Sequence, residues 1–161
     1  MNTYDDVPYP SHAFAATAPD RLAVLGAIFG LETPDPRTAR VLELGSSAGG
    51  NLLPFAAEYP GGRALGLDLS PRQVAFGRRT VEALGLENLA LEVADLATWR
   101  PEPGAWDYVI CHGVYSWVPE GVQAAILRIC REALSPHGVR GGDSNGHAWS
   151  RAGHDGCRRG G

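Results

Sequence analysis

The chain has 161 residues, of which 44% are hydrophobic and 20% charged, a composition typical of one globular domain with one core. Its formal net charge is −4 and its pI about 5.7, so it lacks the basic surplus that binds nucleic acid or anionic lipid headgroups. We expect neither nucleic acid nor a membrane as partner. Because the N-terminus is polar and no apolar run approaches the roughly 20 residues of a membrane helix, we expect a cytoplasmic protein.

Residues 1–18 contain aromatic residues and prolines without a regular period, which predicts an ordered arm or lid. A helix is predicted over residues 19–30, since Pro19 and Asp20 suit a first helical turn and Gly30 suits the end. Its apolar stripe comprises Leu22, Leu25, Ile28 and Phe29.

Beyond residue 40, short apolar runs that predict buried strands alternate with stretches of helical spacing. The predicted strands cover residues 41–45, 63–69, 89–93 and 106–111, and the predicted helices cover residues 48–59, the stretch from a Ser70 cap to Gly85, and residues 120–134. Parallel strands joined by helical crossovers form a doubly wound sheet with helices on both faces. The prediction is therefore a Rossmann-like α/β domain that binds its ligand at the carboxyl ends of the strands.

Residues 139–161 break this pattern, with seven glycines, four arginines and no apolar run where a fifth strand is due. We expect the sheet to be incomplete after the fourth strand, and we interpret 139–161 as an irregular tail, out of frame with the ancestral coding sequence, of a C-terminally truncated chain. A genuinely disordered tail is the alternative. The predicted organisation is an arm (1–18), a cofactor-binding domain (19–138) and the tail, with self-association through the uncovered sheet edge.

In the stretch from Glu43 to Asn51, a strand leads through a glycine-rich turn into a helix. Glycines let the backbone approach a ligand closely, and a helix N-terminus offers N–H groups. A dinucleotide fingerprint would need glycine at position 47, where this chain has Ser47, a replacement that is tolerable if its φ is negative. Glu43, two residues before Gly45, instead suits a ligand with a positively charged amine.

Two carboxylates follow the next two strands. Asp68 lies 23 residues beyond Gly45, where a carboxylate can accept both hydroxyls of a ribose; the alternative is a helix N-terminal charge beside Ser70. Asp95 and the N–H of Leu96 suit the amine and ring nitrogen of adenine, although Asp95 is almost equally suited to cap the turn 96–99.

His112 follows the fourth predicted strand, where a histidine can act as a general base; packing or hydrogen bonding to backbone is the alternative that we favour. Tyr115 and Trp117 suit an apolar acceptor platform or the core.

The histidines have no metal-site spacing, so no metal is expected. The cysteines lack paired spacing, and we expect Cys111 and Cys130 to be buried; the third is Cys157.

In order and spacing, the segments ELGSSAGGN, GLDLSPRQ, EVADL, WDYVICHGVYSWVP and ALSPHGV resemble the motifs of class I S-adenosylmethionine-dependent methyltransferases. The opening, from Tyr4 to Leu31, further resembles bacterial methyltransferases with a C-terminal regulatory domain. The resemblance implies S-adenosylmethionine as cofactor. It implies that Glu43, Gly45 and Gly49, with Ser46 in the same turn, line the methionine end, that Asp68 holds the ribose, Leu69 packs on adenine, and Asp95 with Leu96 reads the adenine edge.

The resemblance also implies transfer of a methyl group to an unidentified small-molecule or protein acceptor, an activity that the missing later strands place in doubt for this chain. One alternative is an NAD-dependent oxidoreductase, against which Ser47 and the Glu43-x-Gly45 arrangement argue. Another is a non-catalytic cofactor-binding remnant.

Overall fold

The computed structural model describes residues 12–142 and the backbone of residues 149–150. The Rossmann-like α/β prediction is confirmed. In chain order the elements are α1 (Pro19–Ile28), β1 (Arg40–Leu44), α2 (Leu52–Glu58), β2 (Arg63–Asp68), α3 (Pro71–Ala83), β3 (Leu89–Val93), β4 (Trp106–Cys111), α4 (Glu120–Ala133), β5 (Leu134–Gly142) and β6 (Trp149–Ser150), with short 3-10 turns at Ala15–Thr17, Pro36–Thr38 and Tyr115–Trp117.

The sheet has the strand order β3-β2-β1-β4-β5-β6, with β1 to β5 parallel and β6 antiparallel to β5. The chain first moves outward from β1 to β3 and then crosses to the other side of β1 at β4. At such a reversal the loops after neighbouring strands diverge and open a crevice. The fold therefore places a ligand crevice at the carboxyl ends of β1 and its neighbours.

Alternate residues of the central strands supply two separate apolar cores. Val41 of β1 and Tyr108 of β4 pack on the face that α1, α2 and α3 cover. Leu42 of β1 and Val109 of β4 pack on the opposite face with α4. Burial on both faces explains why these strands are continuous apolar runs, and it makes the sheet a rigid platform for the loops at its edge.

Helix α3 begins and ends as predicted. The Ser70 hydroxyl accepts a hydrogen bond from the Gln73 N–H at 3.2 Å, and Gly85 has φ +64° just after the helix. Two other helices are shorter than expected. Residues 48–51 form a turn before α2, and α1 ends at Ile28, which is exposed together with Phe29, so the predicted stripe of α1 is buried only in part.

The expectation that the sheet stops at the fourth strand is wrong, because residues 134–142 form β5. This strand pairs with β4 from Trp106 opposite Leu134 to Cys111 opposite Gly142, with a register shift after the first pair. A Cβ on Gly141 would lie 2.7 Å from the Leu22 side chain, and one on Gly142 would lie 2.8 Å from the Cys111 carbonyl oxygen. The glycines that suggested an irregular tail therefore fit a strand position with no room for side chains.

The edge of β4 is thus covered, which removes the basis for the predicted self-association through that edge. Of the predicted tail, residues 143–148 and 151–161 lie outside the described residues, as do residues 1–11 of the predicted arm and Cys157. Cys111 and Cys130 are buried, as expected. No helix in the part of the chain that the structure describes is long and apolar enough to cross a membrane.

Candidate functional site

The turn between β1 and α2 contains three left-handed residues. Gly45 has φ +76° and Gly49 φ +79°. A Cβ on Gly45 would collide with the branched side chain of Val114, so this position needs glycine for space as well as conformation; a Cβ on Gly49 would come 2.9 Å from a terminal methyl group of Leu91, and there the positive φ favours glycine. The backbone here lies against side chains from β3 and from the loop after β4, which fixes the floor of the crevice.

Ser47 is the third left-handed residue, with φ +52°, so the condition of a negative φ, under which a serine is tolerable here, is not met. A left-handed conformation costs a residue with a side chain about 1–2 kcal/mol. The compensation is visible in the hydrogen bonds: the Ser47 N–H donates to Oδ2 of Asp68 at 2.7 Å. Strain held by a hydrogen bond of this kind is typical of a functional turn.

Asp68, at the carboxyl end of β2, ties the turn after β1 to the start of α3. Its Oδ2 accepts from Ser47, and its Oδ1 accepts from the Ser70 N–H at 2.9 Å. The glycine-rich turn and the carboxylate, predicted separately, therefore meet at one crevice. Asp68 is only half-buried, so its oxygens keep lone pairs for further donors such as ribose hydroxyls.

Glu43 lies on the floor of the same crevice, 3% exposed. Its Oε1 accepts a hydrogen bond from Nδ2 of Asn51 at 2.9 Å. Within residues 12–142, Glu43 Oε2 and the hydroxyl oxygens of Ser46 and Ser47 are buried and have no hydrogen-bond partner. Buried polar atoms are normally paired, so three such oxygens, one on β1 and two in the turn that follows it, point to a polar ligand.

Burial raises the pKa of Glu43 to about 8, because the charged form loses its hydration. The hydrogen bond from Asn51 lowers this pKa, and the nearby charge of Asp68 raises it further. A cationic group brought next to the carboxylate would reverse the balance in favour of the ionised form. The site is therefore suited to a ligand that carries a positive charge.

The predicted adenine-edge residues lie next to Asp68, since the Ala94 N–H donates to the Asp68 carbonyl at 2.8 Å. Asp95 caps the following turn, as its alternative interpretation requires: its Oδ1 accepts from the Ala97 N–H at 2.9 Å. Leu96 is buried in the core on the α4 side. Leu69 is 47% exposed at the end of β2, which leaves an apolar surface at this side of the crevice.

His112, beyond the end of β4, packs its ring against Phe14, with ring centroids 3.8 Å apart. This contact agrees with the packing alternative for His112. Tyr115 is partly buried against the α4 core, whereas Trp117 is 78% exposed. Of the two aromatics predicted as an acceptor platform, Tyr115 thus contributes to the core and Trp117 to the surface.

Sequence reasoning missed Asn51, Phe14 and Thr17. The Asn51 side chain bonds both Glu43 and the segment that contains Phe14 and Thr17. An asparagine at a helix start predicts a cap. Its contacts with Thr17 and Phe14, which lie 34 and 37 positions earlier in the chain, leave no signal in periodicity or motif spacing.

A glycine-rich turn, a carboxylate at the end of the second strand and a buried acid at the carboxyl edge of a doubly wound sheet are the features expected of adenosine-cofactor-binding α/β domains. Residues 41–138 match the family described as "Methyltransferase domain". The chain belongs to this family. The cofactor that membership implies is S-adenosylmethionine.

Among curated relatives, the uncharacterized protein RP789 of Rickettsia prowazekii is 41% identical over 86% of this chain and 25% of that protein. Trans-aconitate 2-methyltransferase of Methylobacterium nodulans is 36% identical over 62% of this chain and 36% of that protein. Among solved structures, PKMT2 from Rickettsia typhi in complex with AdoHcy superimposes with a TM-score of 0.79 and 40% identity, over 83% of this chain and 26% of that one. The chain thus spans between 25% and 36% of the lengths of these relatives.

Proposed function

We propose that this domain binds S-adenosylmethionine in the crevice at the carboxyl ends of β1 and β2 and serves methyl transfer to an acceptor. The observation that carries the proposal is Glu43: a buried carboxyl group with one oxygen that has no partner among the described residues, beside a glycine-rich turn that is tied to Asp68. Belonging to the methyltransferase domain family supports it.

The residues present fit the chemistry of this cofactor. Glu43 is suited to the α-amine, and the turn Gly45–Gly49 to the rest of the methionine end, where the Ser46 hydroxyl has no partner in the part of the chain that the structure describes. Asp68 is suited to the ribose hydroxyls, because a carboxylate can accept more hydrogen bonds than the two it makes to backbone N–H groups.

For the adenine, we propose that the exposed face of Leu69 packs on the base. The carboxylate of Asp95 and the N–H of Leu96 then hydrogen-bond to the edge of the base. The hydrogen bond from the Ala94 N–H to Asp68 keeps this loop next to the ribose position. A rigid loop of this kind orients the base without rearrangement, which lowers the entropic cost of binding.

When bound, the cofactor supplies an activated methyl group on a sulfonium centre for in-line displacement by the acceptor nucleophile. The chain's own residues hold and orient the cofactor, and orientation alone can contribute roughly 7 to 11 kcal/mol to lowering a barrier. His112, just beyond the end of β4, packs on Phe14. We therefore assign it first to the wall of the site and keep a general-base role as the second assignment.

We further propose a small molecule or a protein as acceptor, and a cytoplasmic setting without nucleic-acid or membrane partners, which the net charge of −4 supports. None of the relatives above is described as an oxidoreductase, and the left-handed Ser47 stands where the dinucleotide fingerprint has glycine.

Calorimetric titration with S-adenosylhomocysteine, 5′-methylthioadenosine and NAD tests the proposal. We expect S-adenosylhomocysteine to bind at least about tenfold tighter than methylthioadenosine, which lacks the amine, because hydrogen bonds to charged groups contribute about 1.5–3 kcal/mol. Glu43→Gln is the matched variant and should erase this preference while still binding methylthioadenosine. Binding of NAD with no response to S-adenosylhomocysteine would overturn the proposal.

A further inference from the structure

The side chain of Asn51 joins three parts of the molecule. Its Nδ2 donates to Glu43 Oε1 at 2.9 Å and to the Thr17 hydroxyl oxygen at 3.3 Å. Its Oδ1 accepts from the Phe14 N–H at 2.9 Å. Asn51 is the N-cap residue of α2, yet its side chain makes no capping hydrogen bond. Asparagine is favoured at N-caps for its capping hydrogen bond, whereas here its side chain bonds Glu43, Thr17 and Phe14.

Residues 14–17 cross the carboxyl edge of the sheet. Thr17 is buried, and its hydroxyl donates to the Phe14 carbonyl at 3.1 Å, so the segment is a closed turn. Asn51 holds it on the β1 side, and the ring of Phe14 rests on His112 on the β4 side. The segment therefore spans the strand reversal where the crevice opens.

We propose that Asn51 is a positioning residue of the cofactor site: it holds Glu43 by one carboxylate oxygen and residues 14–17 by its remaining hydrogen bonds. Glu43 Oε2 is then left for the amine of the cofactor, and residues 14–17 become a wall of the methionine end. The inference rests on the proposed function and extends it to residues outside the family match at 41–138.

The surroundings of Glu43 show why a donor is needed there. β2 brings Asp68 to the same edge, the loop after β4 brings His112, and the paired Arg40 and Asp107 lie at the opposite end of the sheet. Burial and the charge of Asp68 both raise the pKa of Glu43, whereas the Asn51 amide lowers it. Asn51 is thus the neighbour that favours the carboxylate form which an amine requires.

The test measures S-adenosylhomocysteine affinity by calorimetry between about pH 6 and pH 9 in the wild type, Asn51→Ala and Asn51→Asp. Asn51→Ala should bind about tenfold more weakly, since it removes a hydrogen bond to a charged group, and its affinity should rise with pH at a higher midpoint. Asn51→Asp, which is isosteric but adds a like charge, should shift the midpoint further.

Asn88→Ala is the matched control, because Asn88 donates to the carbonyls of Ala56, Tyr59 and Gly62 at the other end of the sheet. It should lower the melting temperature and leave the affinity and its pH midpoint unchanged. An equal affinity loss in Asn51→Ala and Asn88→Ala without a midpoint shift would overturn the inference, as would a wild-type profile in Asn51→Ala.

Hydrogen exchange of the ligand-free chain supplies a readout independent of the cofactor. In Asn51→Ala the Phe14 amide should exchange about tenfold faster, because its acceptor is gone. Thr17→Val should loosen residues 14–17 without moving the pH midpoint. If the wild type ignores S-adenosylhomocysteine, the proposed function fails, and unchanged Phe14 protection in Asn51→Ala separately overturns the role of Asn51.

Discussion

Polar side chains at the two ends of the sheet differ in how fully they are paired. At the amino ends of the strands, Asp107 accepts from the backbone and guanidinium of Arg40 and from the Ser135 hydroxyl, and Asn88 donates to three carbonyls. At the carboxyl ends, Glu43 Oε2 and the hydroxyl oxygens of Ser46 and Ser47 have no partner within residues 12–142, and the turn holds a left-handed serine.

The difference separates stabilisation from binding. Paired polar groups at the amino ends hold the strands in register. Unpaired groups at the carboxyl ends lower stability in the ligand-free chain and gain partners only when a ligand arrives. Substitutions at the amino ends should therefore lower stability without weakening binding. Substitutions at the carboxyl ends should weaken binding without lowering stability.

The largest expected effect is on the pH dependence of stability at Glu43. The pKa of Glu43 rises from 4.5 to about 8 on folding, so the native chain keeps a proton that the unfolded chain releases between these values. The free energy of unfolding should fall with rising pH in this window, by up to about 1.4 kcal/mol per pH unit, and level off above about pH 8. Glu43→Gln should remove this component.

Urea unfolding of the wild type and Glu43→Gln at several pH values measures the difference. The two curves should separate progressively above about pH 5, with the variant the more stable. A separation that does not change with pH would show that Glu43 titrates normally. It would contradict the claim that unpaired groups at the carboxyl ends lower the stability of the chain.

Asp68→Ala should weaken S-adenosylhomocysteine binding by about a hundredfold or more, because it removes an acceptor for two charge-assisted hydrogen bonds. It also frees the Ser47 N–H from its carboxylate, so the turn should loosen. Calorimetry gives the affinity. Asp95→Ala is the companion variant, and since Asp95 is exposed and caps a turn, its loss should be smaller.

Asp107→Ala tests the amino end and should destabilise the chain by about 2 kcal/mol, because it leaves Arg40 and Ser135 unpaired. Burial raises the pKa of Asp107, but the hydrogen bonds from Arg40 and Ser135 outweigh it and the pKa is lowered. This stabilisation is therefore present at neutral pH and lost as the pH falls through the pKa. Urea unfolding measures it, and unchanged ligand affinity is expected.

The smallest effect should follow His112→Ala, which removes the ring that supports Phe14. Because the ring supports the wall formed by residues 14–17 and is not proposed to bond the cofactor itself, affinity should change by less than about threefold. A much larger loss of affinity would show that His112 contacts the cofactor directly.

The architecture and the crevice were predictable from sequence. Apolar runs such as 41–45 are apolar because both faces of the sheet are covered, and the Ser70 cap and Gly85 mark a helix by local chemistry alone. Asp68 was found by its spacing from Gly45, which follows from one strand–helix–strand unit. These features are local, so short-range pattern is enough to find them.

The errors concern features fixed by tertiary contact. β5 was missed because Gly141 and Gly142 suggest a loop, whereas the space beneath Leu22 and beside Cys111 requires glycine in a strand. Ser47 is left-handed because Asp68 holds its N–H. Asn51 contacts a segment more than 30 residues earlier. No local sequence pattern encodes any of these three tertiary contacts.

Proton release on binding tests the central claim most directly. If Glu43 is protonated in the ligand-free chain and pairs with the amine, S-adenosylhomocysteine binding at pH 7 should release about one proton, since the pKa falls from about 8. Calorimetry in two buffers of different ionisation enthalpy gives the number. Release near one proton in the wild type and near none in Glu43→Gln is the predicted result; binding without proton release would contradict the account.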